Sequence, residues 1–226
     1  MGSRIFEFLK YLLECIIQVI YSSDDKCIIC EQLNDSDEFI CDYCICKIKL
    51  CSESFYTSHG EIKFKCFSIS YYSGVMLELI LRLKYKSDFK CGEVIANLMF
   101  KFIENNKIEF DIITFIPVSN ASYKKRGYNQ TQYLASYLGK KVHKPTINTL
   151  LKVKITRDQI GLYGNDRWNN IKDSFKINKK VEIKNKIILL IDDVITTGAT
   201  VFYCAKILRN SGAKEVFILT AAKSKV

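Results

Sequence analysis

The sequence is short of chain breakers. Its 226 residues include two prolines and ten glycines, too few for long disordered linkers. It shows no internal repeat and no low-complexity tract, so no repeat architecture is expected. It also lacks an apolar run long enough to cross a bilayer. The first 21 residues are mostly apolar but carry Arg4, Glu7, Lys10 and Glu14. The uncharged stretch between Glu14 and Asp24 falls well short of the roughly 20 residues that a spanning helix needs. No small-residue cleavage site follows it. Residues 1–24 therefore read as an amphipathic helix packed on the protein, with a membrane-surface helix as the alternative. A cytoplasmic location is expected. Acidic residues are scarce relative to basic ones, 24 against 34, a formal net charge of +10.

What is present begins with cysteine. A reducing compartment argues against ten cysteines forming disulfides, and their spacing argues for metal. Cys27-Ile-Ile-Cys30 and Cys41-Asp-Tyr-Cys44 each put two thiolates on one tight turn. Two such turns make a tetrahedral Zn²⁺ site with no open position, which is a structural site. Reduced thiols or redox chemistry are the alternatives, and Cys46 or Cys51 could replace one ligand. Cys15, Cys66, Cys91 and Cys204 sit among apolar neighbours and read as inert core residues.

The positive charge is concentrated. Residues 140–186 hold 13 Lys and Arg against four Asp and Glu, or +9 from one stretch. Such a block suits a solubilising face, a phosphate-binding surface or a nucleic-acid track.

The rest of the chain alternates strand and helix patterns. Residues 63–72, 111–117, 186–191 and 215–220 read as strands. Residues 73–84, 91–103, 128–138 and 199–210 carry apolar side chains at helical intervals, and Ser211-Gly212 closes the last. Residues 151–173 have no clear period and read as a long loop or hairpin. This order predicts an α/β fold with a parallel sheet and right-handed crossovers. The domains expected are the helix 1–24, a four-cysteine zinc-binding module 25–60, and an α/β domain 61–226.

The most informative segment runs from Ile187 through Asp192 and Asp193 to Thr196-Thr197-Gly198-Ala199-Thr200. A strand apolar on both faces is a buried parallel strand, and ligands of open α/β sheets bind at its carboxyl end. The hydroxyls and close-approaching amides of the Thr/Gly loop, at a helix start, suit a phosphate. The two carboxylates suit a sugar's vicinal hydroxyls or a Mg²⁺ ion. Together they describe a phosphorylated ribose. A second segment, Lys124-Lys125-Arg126-Gly127 ahead of a helix, offers point charges, a guanidinium fork and backbone donors for a pyrophosphate.

The signature segment resembles the phosphoribosyl-pyrophosphate (PRPP) site of type I phosphoribosyltransferases. That resemblance implies ribose hydroxyls on Asp192 and Asp193 and the 5′-phosphate in the loop through Val194, Thr196, Thr197, Gly198, Ala199 and Thr200. The family's first acidic position is often Glu, and here it is Asp192. The resemblance also implies a flexible loop that closes over the ligand, with Arg157 and Arg167 as its cations, and Mg²⁺ bound with PRPP.

Across nearly the whole chain the pattern resembles the ComF family. The resemblance is carried by the cysteine pairs, Tyr72-Ser-Gly74, Leu83-Lys84-Tyr85, Pro117-Val118, Arg126-Gly127-Tyr128-Asn129-Gln130, Thr156–Gln159, Arg167 with Asn170, and the Asp192–Thr200 loop. Two departures are Lys152, where members often have Arg, and Ser119-Asn120-Ala121 in place of a proline-containing turn. The resemblance implies a type I phosphoribosyltransferase-like parallel sheet flanked by helices, with an amino-terminal zinc-binding module. It further implies a role in DNA uptake and natural transformation, with single-stranded DNA and competence-machinery proteins as partners. An active phosphoribosyltransferase of nucleotide metabolism, acting on a nitrogen acceptor and unrelated to DNA, is the alternative. No glutamine-hydrolysing module with a nucleophilic amino-terminal cysteine is present, which argues against ammonia delivery from glutamine. A domain that kept the fold and lost catalysis is a third reading.

Overall fold

The computed structural model describes residues 26–224 except 37, 52, 154–167, 169 and 170. The expected helix 1–24 lies outside the described residues, as do Arg157 and Arg167. The chain divides into two compact units, one ending at Ile45 and one from Cys46 onward. The first holds the cysteine pairs. The helix α1 (Asp42–Cys46) carries the second pair's Cys44 on its buried side.

The second unit is built on a five-stranded sheet. Its strands are β1 (Phe55–His59), β2 (Ile62–Tyr71), β3 (Ile112–Phe115), β6 (Ile187–Ile195) and β7 (Glu215–Lys223), in the order β1-β2-β7-β6-β3. β1 pairs antiparallel with β2, and the other three pairings are parallel. The two central strands β6 and β7 are buried on both faces, as their near-continuous apolar runs require. The boundary expected at residue 60 moves, because β1 is the sheet's edge strand. The Phe55–His59 segment buries Thr57 and pairs along the length of β2, so it belongs to the α/β unit.

The helices are α2 (Gly74–Lys86), α3 (Phe89–Asn105), α4 (Asn120–Arg126), α5 (Gln130–Lys141) and α6 (Ala199–Asn210). α6 covers one face, where Phe202, Ala205 and Leu208 pack with Ile188 and Leu190 of β6. The opposite residues Leu189 and Ile191 point the other way along the pleat. α5 packs on β3 and β6, and α3 on β2 and β7. A short hairpin, β4 (Leu150–Lys152) with β5 (Phe175–Ile177), brackets most of the stretch read as a loop or hairpin. Leu150 and Phe175 tuck it under α6's side of the core.

Two elements differ from the sequence reading. β6 does not stop before the acidic pair: its pairing with β7 continues through Asp192, Val194 and Ile195. Its pairing with β3 ends at Ile191. The carboxylates therefore sit inside a strand, at the point where one neighbouring strand has peeled away. The Lys124–Arg126 segment, read as a loop, is the last turn of α4. Ser119 caps that helix by accepting from the Ser122 amide at 3.1 Å, and Gly127 ends it at φ +79°, a conformation that glycine adopts without strain.

Candidate functional site

Where β3 leaves β6, a cavity of about 360 Å³ opens, within the range of small-ligand sites, roughly 300–1,000 Å³. Its floor is the contiguous stretch from Asp192 to Val201, and its other walls include Ile116, Pro117, Val118, Ser119, Tyr72, Lys84, Lys152 and Phe175. All eight residues expected to meet a ribose phosphate line it: Asp192, Asp193, Val194, Thr196, Thr197, Gly198, Ala199 and Thr200. At one end are two carboxylates; at the other is the start of α6, where the first-turn amides of a helix point outward.

The acidic pair is buried and held in place. Asp193 Oδ2 accepts from the Lys84 ammonium and from Gln130 Nε2, each at 2.8 Å, and its Oδ1 accepts from the Val194 amide at 2.6 Å. Asp192 Oδ1 accepts from the Asp193 amide at 2.9 Å. Burial, and secondarily the neighbouring Asp193 charge, push the Asp192 carboxyl up to about 8, against the pull of Lys84. Burial works against the Lys84 ammonium, but Asp193 outweighs it and its pKa is raised. One carboxylate is thus paired with an ammonium, and the other sits poised for a hydrogen-bonding or cationic partner.

The loop is shaped by Gly198. It adopts φ +80°, and a Cβ there would stand 2.5 Å from Thr57 Oγ1. Thr57 donates to the Gly198 carbonyl at 3.4 Å. On the far side of Ile195–Gly198 lies another cavity, of about 540 Å³, walled by Phe55, Tyr71 and Lys223 among others. The loop is a partition between the two.

The expected pyrophosphate residues are placed differently. Lys124, Lys125, Arg126 and Gly127 do not line the cavity. The last turn of α4 turns the two lysines to solvent, and among the described residues the cations that line the cavity are Lys84 and Lys152. The Arg126–Gln130 segment instead builds a support. Arg126 donates to Gln130 Oε1 at 3.0 Å, and Gln130 in turn holds Asp193. Asn129 caps α5 at the Thr131 amide. Asn129 Nδ2 and Thr131 Oγ1 both donate to the Ile116 carbonyl, at 3.1 and 2.6 Å, fixing the cavity's wall just beyond β3.

Lys84 and Gln130 are not among the residues expected at the site. Lys84 falls four residues after the buried Ile80 on the apolar stripe of α2. A lysine on a buried stripe is a signal for a buried partner.

The cysteine unit has its own geometry. The four thiol sulfurs of Cys27, Cys30, Cys41 and Cys44 all lie within 4.8 Å of one another. Cys30 Sγ and Cys41 Sγ are 3.7 Å apart, against about 3.8 Å for tetrahedral ligands at a Zn–S distance of about 2.3 Å. Cys27 Sγ accepts from the amides of Ile29 and Cys41, both at 3.4 Å. Burial raises that thiol, but backbone donors from Cys41, Cys30 and Ile29 outweigh it and bring it down to about 6. Burial and the neighbouring thiols push Cys44 up. Four thiols this close resist losing all their protons unless a cation sits among them. Cys46 and Cys51 are not in the group. Cys66, Cys91 and Cys204 are buried core residues, as expected, and Cys15 lies outside the described residues. Among the described residues no helix is long and apolar enough to cross a membrane.

Comparison with known proteins agrees with this arrangement. Residues 93–225 match the model of the phosphoribosyl transferase domain. The chain is 31% identical over 163 residues to competence protein F of Haemophilus influenzae, covering 69% of this chain and 71% of that protein. It is 27% identical over 222 residues to competence protein ComFC of Streptococcus pneumoniae, covering 92% and 93% of the two. It is 28% identical over 158 residues to the DNA utilization protein YhgH of Salmonella typhimurium, covering 66% and 67%. The protein is a member of the ComF/ComFC competence-protein family, with a phosphoribosyltransferase domain of mostly parallel α/β fold.

Proposed function

We propose that the cavity binds PRPP or a closely related ribose phosphate, and that the protein contributes to DNA uptake. One juxtaposition carries the ligand reading: a buried acidic pair and a helix N-terminus face the same cavity, joined by a hydroxyl-rich loop. The acidic pair takes the ribose hydroxyls, with Asp192 as the open acceptor and Asp193 held rigid by Lys84 and Gln130. The 5′-phosphate sits against Thr196–Thr200, where Gly198 lets the backbone approach closely. Mg²⁺ fits this donor set, because it binds through one or two carboxylates together with substrate phosphates, and when bound it would neutralise the pyrophosphate. Arg157 and Arg167 are assigned to closure over the ligand. The relatives' names, competence and DNA utilization, support the DNA-uptake setting, with single-stranded DNA and other competence proteins as partners.

The four-thiol unit is assigned to structural Zn²⁺. Its ligands are Cys27, Cys30, Cys41 and Cys44, and their spacing fits a tetrahedral cation.

Calorimetric titration with PRPP, with and without Mg²⁺, tests the central reading. Binding is expected only for protein with the acidic pair intact, and Asp192→Asn should abolish it. No heat from the parent protein under either condition would sink the proposal.

A second reading is turnover. Lys84 and Lys152 line the cavity, so cations are available to a departing pyrophosphate. A nitrogen nucleophile would bond to the anomeric carbon as the carbon–oxygen bond breaks and its electron pair leaves with the pyrophosphate. Such a reaction asks the protein for charge stabilisation and water exclusion. Pyrophosphate release from PRPP across a panel of nucleobases and amines is the measurement; silence across the panel leaves binding without catalysis.

A further inference from the structure

A second surface combines rings and cations in a pattern the cavity does not use. α4 ends in Tyr123, Lys124, Lys125 and Arg126, and Tyr123 is 50% exposed. The last turn of α2 and the start of α3 present Tyr85 and Phe89, which are 61% and 42% exposed. The Phe89 ring packs at a tilt against Tyr128 and Tyr133, with centroids 5.0 and 4.9 Å away. Gly92 makes room for this, since a Cβ there would stand 2.5 Å from the Tyr133 ring. Phe89, Tyr123, Tyr128 and Tyr133 bound a shallow cavity of about 410 Å³. The Arg126 guanidinium lies 5.3 Å over the Tyr85 ring.

Positive charge outweighs negative on this face. Lys86, Lys124 and Lys125 are exposed around the rings. Asp88 is paired with Arg82, and Glu93, which accepts from the Tyr137 hydroxyl at 3.5 Å, lies near Tyr133. Large rings left in water next to exposed cations are the composition of a single-strand site, where every base has a face to stack and every phosphate needs a counter-charge. A purely structural tyrosine cluster would bury its rings, and three of these are more than two-fifths exposed.

We infer that this face, from the α2–α3 turn across α4 to the start of α5, is a stacking platform for single-stranded nucleic acid. Rings take the bases, and Lys124, Lys125 and their neighbours take the phosphates. The inference deepens the DNA-handling part of the proposed function and does not depend on what fills the ribose-phosphate cavity.

The test is fluorescence anisotropy on the full chain with a labelled oligothymidine of about 12 nucleotides, within the span that single-strand grooves cover. Tyr123→Ala should weaken binding about five- to tenfold, and an abasic oligonucleotide of equal length should bind both proteins alike. Lys124→Gln with Lys125→Gln should lower the slope of log affinity against log salt by about 1.4. Lys179→Gln with Lys180→Gln should leave both quantities unchanged. A matched RNA oligonucleotide reports whether the sugar matters. PRPP calorimetry on Tyr123→Ala should match the parent protein, which separates this inference from the cavity reading. Parent protein that binds no oligonucleotide, platform variants that bind like the parent, or a loss confined to the Lys179/Lys180 variant would each overturn it.

Discussion

Between Lys26 and Ile45 the buried apolar side chains are Cys27, Ile40 and Cys44. From Cys46 onward a large core cluster fills the space between α6 and one face of a sheet, with Phe202, Ile188, Leu190 and Ile218 at its centre. Each region also concentrates ionisable groups that cannot all be charged alone. The four thiols call for a cation brought from outside. The acidic pair has one built in: Lys84, 2.8 Å from Asp193. The contrast teaches how order is maintained in each. On the proposed zinc reading, one region depends on something added, and the other carries its counter-charge in its sequence.

The sharpest way to break this contrast is chelation. Apparent metal-binding energies of small zinc sites are about 10–16 kcal/mol, far more than so small a core can replace. Hydrogen exchange after chelation should show residues 26–45 losing protection while β6 and β7 keep theirs. Loss spread evenly over both would mean the sheet also leans on the metal.

Next in size is the built-in charge pair. Asp193→Asn leaves the Lys84 ammonium buried without its partner, at a cost of about 3–5 kcal/mol. Adding Lys84→Met should recover most of that in urea unfolding, because no orphaned charge remains. A double variant no better than the single one would show that the pair is not the unit of stability.

Gly198→Ala should cost about 1–3 kcal/mol, since φ +80° strains any side chain and the new Cβ meets Thr57. The affinity for PRPP should fall further than the stability, read by calorimetry against urea unfolding.

The smallest effect is on pH. Asp192 holds its proton up to about 8 in the fold but ionises in the ordinary carboxylate range when unfolded. The native state therefore binds more protons in that window. Stability of the unliganded protein should fall as pH rises, by about 1.4 kcal/mol between about pH 6 and 7. Asp192→Asn should flatten the slope. A rising slope would mean that Asp192 is ionised and paired.

Much of the architecture is legible in the sequence because periodicity and burial coincide. The β6 run and the α6 stripe read directly, and so does the loop between them. Three features do not. β1 reads as part of the zinc module because Phe55–His59 has one buried residue, Thr57, and an edge strand carries a weak pattern. α4 has no buried residue, so it shows no stripe to detect. Lys84 and Gln130 meet Asp193 only through the packing of α2 and α5; the buried stripe around Lys84 signals a partner, and nothing local says which one. The Lys124–Arg126 cluster points to a phosphate in the cavity on charge alone; charge does not reveal which way a helix turns it.

The partition at Ile195–Gly198 has hollow ground on both sides. A wall one backbone thick passes on a change behind it, so a substitution at Thr57 reshapes the front lining without belonging to it. Edge-strand drift is therefore a route by which relatives with an identical front lining could come to differ in the shape of that hollow.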